Sequence, residues 1–136
     1  MIRVTTPFGN LQVRIHHEYI VECVFNDSDF NYIKQLSYSE LLETPFLLKG
    51  TKFDELVWNE IRKIPKGHTA TYSEIASRIG KSNSSRAVAN ACGRNKLALI
   101  IPCHRVIGKV DLGGYKWGKK RKLNLIHWEQ RDVIVG

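Results

Sequence analysis

The chain has 136 residues, of which 43% are hydrophobic; this makes a packed core feasible and argues against a disordered polypeptide. Its net charge of +8 is unevenly distributed along the chain. The first 50 residues hold four basic and six acidic side chains, and the rest hold seventeen basic and seven acidic ones. A basic second half favours a polyanionic partner such as nucleic acid, although an ordinary solvated surface would have the same composition.

The first third of the chain is predicted to form β-strands. Its short apolar-rich segments, RVTT, LQVRI and IVECVF, are separated by the turn-forming stretches PFGN and HHEY. A polar turn is expected at 26–29, a short helix over 33–42 and a linker over 45–50. We therefore expect a small β-rich lobe over residues 1–50 and a second domain over 51–136.

From residue 53 the apolar spacing becomes that of an α-helix. Apolar residues recur at helical steps over 53–64, and Pro65 ends the pattern. A short helix is expected to follow with Ser73 as its N-cap, and a third helix over 85–92 to have Gly93 as the first residue beyond its end. Two short helices joined by a tight turn are typical of a helix-turn-helix, an outline that many all-α domains share.

The segment IIPCHRVIG, residues 100–108, places a thiol, an imidazole and a guanidinium side by side. Its apolar flanks predict a buried strand, which a glycine-rich loop and a last helix over 119–131 follow. On an extended strand neighbouring side chains point to opposite faces, so Cys103 and His104 would diverge unless the chain turns or a water bridges them. Pro102 makes a local departure from a regular strand reasonable.

Cys103 could be either a nucleophile or an inert core thiol. A cysteine attacks as its thiolate and needs a nearby base, and a histidine in that role is usually oriented by a carboxylate. Carboxylates are scarce in the basic half, and Glu129 on the last helix is the best placed of them. Residue types alone still favour a structural cysteine, since buried cysteines usually are structural.

The three cysteines are odd in number and show no CxxC spacing, which argues against a disulfide framework and against a zinc finger. No other group has the spacing of a metal site, so we expect neither metal nor cofactor. The first ten residues, MIRVTTPFGN, lack the apolar core of a signal peptide, and the apolar runs are too short for a membrane span. A cytoplasmic protein with free thiols and no membrane partner is therefore expected.

Four segments together, TYSEIA, SSRAVANACGRN, IPCHRVIG and GGYKWGKKRKLNLIHWE, resemble the O6-alkylguanine-DNA alkyltransferases, in that family's order and nearly at its spacing. The resemblance covers roughly residues 50–129. It implies an α+β fold, in which a small antiparallel β lobe precedes a helix-turn-helix lobe of winged-helix type. It also implies a monomer that binds double-stranded DNA and needs no cofactor and no obligate protein partner.

The activity that the resemblance implies is direct reversal of DNA damage by a methylated-DNA–protein-cysteine methyltransferase. An alkyl group, above all methyl, would pass irreversibly from O6 of guanine to Cys103, and O4-methylthymine stays open as a second substrate. His104 and Glu129 would draw the proton from Cys103 through a water, and Asn95 would brace the turn ahead of the active-site segment. Arg105 has no implied catalytic role, and we expect it to make structural hydrogen bonds.

The resemblance further implies a set of DNA- and base-binding residues. Tyr72 would crowd the target phosphate and hydrogen-bond the flipped base, while Arg86 would enter the duplex where the base has left. The other members of the set are small residues of the recognition helix and residues at or near the guanine pocket: Ser85, Ala87, Ala89, Val106, Tyr115, Lys116, Trp117 and Lys122. Small helix residues give little base-edge readout, as a lesion scanner requires. The bulky Trp117 predicts a narrow pocket that accepts methyl more readily than benzyl.

Three other classes of protein remain compatible with the residues. One is an alkyltransferase-like sensor that binds the lesion without reacting, against which the Cys103 thiol argues. Another is a winged-helix protein with a structural cysteine, which would bind DNA sequence-specifically. The third is a cysteine hydrolase using Cys103, His104 and Glu129, for which no oxyanion hole is recognisable in the sequence.

Overall fold

The computed structural model describes residues 1–135, and side chains through residue 131. Among these residues, no helix has both the length and the apolar character needed to cross a membrane. The predicted α+β class is confirmed, since a small sheet is followed by a set of helices that includes a helix-turn-helix.

The chain divides into two compact units. The first consists of Met1–Lys49 together with Lys96–Ile100, and the second of Gly50–Asn95 together with the chain from Ile101 onward. A single boundary at residue 50 therefore does not describe the division, because Lys96–Ile100 lies with the first unit.

The first unit is built on a four-stranded sheet with the order β3-β2-β1-β4. Strands β1 (Ile2–Thr6), β2 (Gly9–His16) and β3 (Tyr19–Phe25) form an antiparallel meander that coincides with the three predicted segments. A short strand β4 (Lys34–Leu36) pairs in parallel with β1, and helix α1 (Tyr38–Glu43) follows. The helix predicted over 33–42 is thus wrong in its first half, because the backbone there extends along β1.

The segment Lys96–Ile100 joins the first unit through β3. The Cys23 amide donates to the Lys96 carbonyl at 2.7 Å, and the Ala98 amide donates to the Cys23 carbonyl at 2.8 Å. The Cys23 side chain is fully buried, and burial raises the pKa of its thiol to about 12. Cys23 is therefore a neutral core thiol.

The described part of the second unit contains four α-helices and a two-stranded parallel sheet. The helices are α2 (Lys52–Ile61), α3 (Tyr72–Arg78), α4 (Ser85–Gly93) and α5 (Lys119–Val135), and the strands are β5 (Ala70–Thr71) and β6 (Val106–Ile107). The helix-turn-helix consists of α3 and α4. The pairing of β5 with β6 fixes the start of α3 beside the chain that leaves Cys103, which the sequence patterns did not reveal.

The N-cap of α3 is Thr71, so the prediction of Ser73 is wrong. The Thr71 hydroxyl accepts from the Glu74 amide at 3.1 Å, and the Glu74 carboxylate accepts from the Thr71 amide at 3.2 Å. This reciprocal capping box satisfies two amides that a helix start otherwise leaves unpaired. Ser73 lies inside the first turn, two residues after the cap.

The end of α4 also differs from its prediction. Gly93 is the last helical residue and Arg94 is the C-cap, with right-handed helical backbone angles. The Arg94 guanidinium is held by the buried Asp54 carboxylate of α2, at 2.6 Å for the shortest contact. The indole of Trp58, also from α2, donates to the Ala91 carbonyl at 2.9 Å. These two bonds extend α4 past the predicted glycine stop and fix it against α2.

Candidate active site

Cys103 begins a short 3₁₀ helix, Cys103–Arg105, and does not lie in a regular strand as predicted. Pro102 precedes it with φ −80° and ψ 62°, and the Cys103 amide donates to the Ile101 carbonyl at 2.7 Å. The Arg105 amide then donates to the Pro102 carbonyl at 2.9 Å. The chain therefore turns at the place where an extended strand would have made neighbouring side chains diverge.

The Cys103 thiol is 4% exposed and lines a pocket of about 190 Å³. The pocket draws its walls from α3, α4 and the loop before α5: Tyr72, Ala89, Cys92, Gly93, Cys103, Gly114, Tyr115 and Lys116. Ligand pockets for small molecules usually measure about 300–1,000 Å³. The space next to the thiol is accordingly small.

Asn95 holds the start of this turn in place. It is 1% exposed, and its amide donates to the Ile101 carbonyl at 3.1 Å and to Cys103 Sγ at 3.4 Å. Two effects raise the pKa of Cys103 well above its usual range: the larger is a hydrogen bond with the Cys92 thiol, and the other is burial. Asn95 and Lys122 lower that pKa but do not outweigh them. Near pH 7, Cys103 is therefore favoured as a protonated thiol.

His104, Arg105 and Glu129 form a buried, charge-balanced cluster. His104 Nε2 lies 3.0 Å from Glu129 Oε1, and Arg105 donates to the two carboxylate oxygens at 3.0 and 2.7 Å. Burial alone would raise the pKa of Glu129, but the bonds from His104 and Arg105 outweigh it and lower that pKa to about 2. Arg105 also donates to the Ile64 carbonyl at 2.8 Å, which confirms its expected structural hydrogen bonding.

The His104 tautomer follows from these contacts. An ionised carboxylate can only accept, so the proton of the neutral ring must be on Nε2, and Nδ1 is left as an acceptor. Burial lowers the pKa of His104, so the neutral ring is favoured near pH 7. Within the described residues, Nδ1 is buried and has no hydrogen-bond partner. The ring can therefore receive a proton at Nδ1 while Glu129 stabilises the resulting cation.

Lys122 and Tyr72 lie next to each other beside Gly114. Lys122 is fully buried, and its ammonium donates to the carbonyls of Val106 at 2.6 Å and Gly114 at 2.9 Å, with Tyr72 Oη at 3.5 Å. Burial lowers the pKa of Lys122 to about 8 and raises the pKa of Tyr72 to about 12. At neutral pH the lysine remains predominantly charged and the phenol keeps its proton.

Gly113 is required by the same arrangement. Its φ is +73°, a conformation that residues with a side chain rarely adopt, and a Cβ placed there would lie 2.6 Å from Tyr72 Oη. Only glycine allows this loop to pass so close to the tyrosine.

The exposed side of the helix-turn-helix carries a larger groove of about 470 Å³. It is lined by Thr71, Tyr72, Ser73, Ser85, Arg86, Ala89 and Lys109. Arg86 is exposed, and Ser85, Ala87 and Ala89 present only small side chains beside it. Tyr72 and Ala89 line both this groove and the pocket of Cys103. The groove and the pocket are thus adjacent, with a small alanine between them.

Two of the residues predicted to lie at the pocket are not among its lining. Val106 is fully buried, and its carbonyl is taken up by Lys122, so it supports the wall from behind. Trp117 packs its ring edge to face on Tyr115, with centroids 5.3 Å apart, and Tyr115 lines the pocket directly. Lys116 lines the pocket, and its ammonium lies 3.5 Å from the Asn95 carbonyl.

Cys92 is a pocket residue that sequence reasoning missed. Its neighbour Ala91 is fully buried, but Cys92 is half-buried and lines the same pocket as Cys103. The residue spacing held no signal for this contact, since it depends on the 3₁₀ turn at Cys103. Among the residues whose side chains are described, no group of three or more His, Cys, Asp or Glu side chains could hold a metal ion.

Comparison with known proteins identifies the second unit. A family model described as the DNA-binding domain of 6-O-methylguanine DNA methyltransferase matches residues 52–131. A protein of Acanthamoeba polyphaga mimivirus named probable methylated-DNA–protein-cysteine methyltransferase is 53% identical over 86 residues, covering 63% of this chain and 58% of that protein. The bifunctional transcriptional activator and DNA repair enzyme Ada of Escherichia coli is 49% identical over 92 residues, covering 67% of this chain and 26% of Ada.

Among solved structures, the chain is similar to Mycobacterium tuberculosis OGT in complex with DNA. The TM-score is 0.82 at 30% identity, and the match covers 96% of this chain and 92% of that one. The likeness therefore extends over both units, whereas the match to the mimivirus protein and to Ada spans less than two thirds of either relative.

Proposed function

The chain belongs to the 6-O-methylguanine DNA methyltransferase family, and from that premise we propose that it repairs alkylated DNA by moving an alkyl group from guanine O6 to Cys103. The observation that carries the proposal is the placement of the Cys103 thiol in a small pocket next to the groove of the helix-turn-helix. A group that enters the pocket from that groove would meet the thiol.

The transfer is a displacement at carbon. The Cys103 thiolate attacks the alkyl carbon, the new S–C bond forms as the C–O6 bond breaks, and guanine leaves with the electron pair on O6. The proton of Cys103 passes through a water to Nδ1 of His104, the one imidazole atom left free to accept it. Glu129, already paired with Arg105, stabilises the protonated ring.

The leaving group is stabilised from the Tyr72 side. A phenol whose pKa is raised to about 12 keeps its proton at neutral pH and can donate it, or a strong hydrogen bond, to the departing guanine. The Lys122 ammonium, 3.5 Å from Tyr72 Oη, supports negative charge that develops there. The product thioether is stable, so each protein molecule reacts once.

The partner in this proposal is duplex DNA with a flipped base. O6 of guanine lies inside the stacked duplex, so the base must leave the stack, at a cost of a few kcal/mol. Exposed Arg86 at the groove can fill the vacated space, and the small side chains of Ser85, Ala87 and Ala89 let α4 approach the backbone closely. Binding should weaken with salt and vary little with sequence, because those side chains reach few base edges. A strong consensus in a binding selection would contradict this.

The test is the intact mass of the protein after incubation with a duplex that carries O6-methylguanine. We expect one added methyl group per molecule, on the tryptic peptide 97–105 that contains Cys103, and no addition in Cys103→Ala. Tight lesion-selective binding without a mass change would instead identify a sensor. Binding that ignores the lesion would identify a winged-helix protein, and multiple turnovers would identify a hydrolase.

A further inference from the structure

Cys92 and Cys103 form a pair of thiols in one pocket. Both line the 190 Å³ cavity, and their side chains hydrogen-bond to each other. The proposed transfer uses Cys103 alone, and nothing in that reaction requires a second thiol beside the acceptor.

The two sulfurs are brought together by rigid parts of the second unit. Cys92 lies in the last turn of α4, which the Asp54–Arg94 ion pair fixes against α2. Cys103 begins the 3₁₀ helix, and Asn95 ties that helix to the end of α4 through its bonds to Ile101 and Cys103. The contact is therefore part of the folded framework and does not depend on a loose loop.

The two thiols differ in their exposure. Cys92 is half-buried, whereas Cys103 is 4% exposed. A small disulfide reagent can therefore reach Cys92 first, and Cys103 is already in contact with the sulfur that has reacted. Cys23 is fully buried in the first unit and its pKa is raised to about 12, so it does not compete.

We propose that Cys92 and Cys103 form a reversible disulfide that takes the acceptor thiol out of use under oxidising conditions. With oxidised glutathione, Cys92 first forms a mixed disulfide and releases one reduced glutathione, which carries the proton of Cys92. The Cys103 sulfur then bonds to the Cys92 sulfur, the mixed disulfide bond breaks, and the second reduced glutathione leaves with the proton of Cys103. Two thiols are oxidised and one glutathione disulfide is reduced.

Such a bond would protect a protein that is consumed by its reaction. A thiol oxidised alone can proceed to sulfinic and sulfonic acids, which are not restored by thiols, whereas a disulfide returns to two thiols on reduction. The formation of the bond needs only the two cysteines. Its effect on repair rests on the proposed function of Cys103.

The experiment equilibrates the full-length protein with mixtures of oxidised and reduced glutathione, blocks free thiols with iodoacetamide under denaturing conditions, and maps tryptic peptides without reduction. We expect peptide 87–94, which holds Cys92, to be linked to peptide 97–105, which holds Cys103. The Cys23 peptide, 15–34, should carry the blocking group at every mixture and serves as an internal control. Methyl transfer is measured on portions of the same equilibrated mixtures that are neither denatured nor blocked, before and after dithiothreitol.

Cys92→Ser is the matched variant, and each protein is compared with its own reduced sample so that a change in basal rate does not enter. In the wild type, the fraction of activity lost should equal the fraction of cross-linked protein and should return with dithiothreitol. Cys92→Ser should show no cross-link and should lose less of its activity. The proposal is overturned if the wild type stays uncross-linked at the most oxidising mixture, or if both proteins lose the same fraction. Failure of reduced wild type to accept methyl would refute the proposed function and leave the peptide map as a separate result.

Discussion

Glu129→Gln is the substitution with the most direct consequence for the buried cluster. The carboxylate is 4% exposed and takes hydrogen bonds from His104 and Arg105, which lower its pKa from the ordinary 4.5 to about 2. Each pKa unit corresponds to about 1.4 kcal/mol, so the ionised carboxylate contributes about 3 kcal/mol of stability near pH 7. The glutamine keeps the shape of the side chain but leaves Arg105 without its counter-charge, a loss that usually costs about 3–5 kcal/mol.

The pH dependence separates this effect from simple misfolding. Because the folded-state pKa is lowered, the stabilisation is complete above about pH 4.5 and disappears as the pH falls through about 2. Urea denaturation should therefore give a difference between wild type and Glu129→Gln of about 3 kcal/mol at pH 7 and less than half of that at pH 3. Glu43→Gln, at an exposed site on α1, is the matched control and should change neither value.

Activity should fall together with stability, for a different reason. An amide can donate to Nε2, which permits the ring to hold its proton on Nδ1, and it cannot balance the charge of a protonated ring. General-base contributions are typically about 10²–10⁴-fold, so methyl transfer by Glu129→Gln should slow by about 10²-fold or more. A stability difference that does not change between pH 7 and pH 3, or an unchanged transfer rate, would refute the assigned role of the cluster.

Three further outcomes are expected. Arg86→Ala should slow repair in duplex DNA by about tenfold or more, because a loss of about 1.4 kcal/mol of support for base flipping is a factor of ten in rate. Reaction with the free base should hardly change, and similar losses on both substrates would contradict this. The wild type should react faster with O6-methylguanine than with O6-benzylguanine, since the pocket is only about 190 Å³, and equal rates would rule out a narrow pocket. The folded-state pKa of Lys122 is lowered to about 8, so the free energy of unfolding of the wild type should rise between about pH 8 and 10.5. In Lys122→Met it should change less, which denaturation at both pH values would measure.

The sequence predicted the strands of the meander from apolar segments that turn-forming stretches separate, and the helix-turn-helix from capping residues and the tight turn between two short helices. It missed β4, which has three residues and depends on its partner β1, and it misplaced the cap of α3. That second error was avoidable. Thr71 and Ser73 are both good capping residues, but only Thr71 has a carboxylate three positions later, at Glu74, to complete a capping box.

The family resemblance predicted which residues belong to the site, but it did not predict their geometry. A period of two predicts that Cys103 and His104 face apart, and a turn of three residues is too short to appear in any periodic pattern. Pro102 was the only local indication of the turn. The contact between Cys92 and Cys103 depends on that turn and on the hydrogen bonds of Asn95, so no residue spacing in the sequence predicts it.

Helix α5 shows why a chain of this length can hold buried charges of both signs near one thiol. Lys122 and Glu129 are seven positions apart, two turns of one helix, and so lie on the same face. The lysine secures the carbonyls of Val106 and Gly114, while the glutamate secures His104 and Arg105, so one helix fastens both ends of the segment that follows Cys103. Each charge is satisfied by fixed partners, and among the described residues Nδ1 of His104 has no hydrogen-bond partner. Under the proposed function, the packing that stabilises the second unit also leaves Nδ1 of His104 able to receive the proton of Cys103.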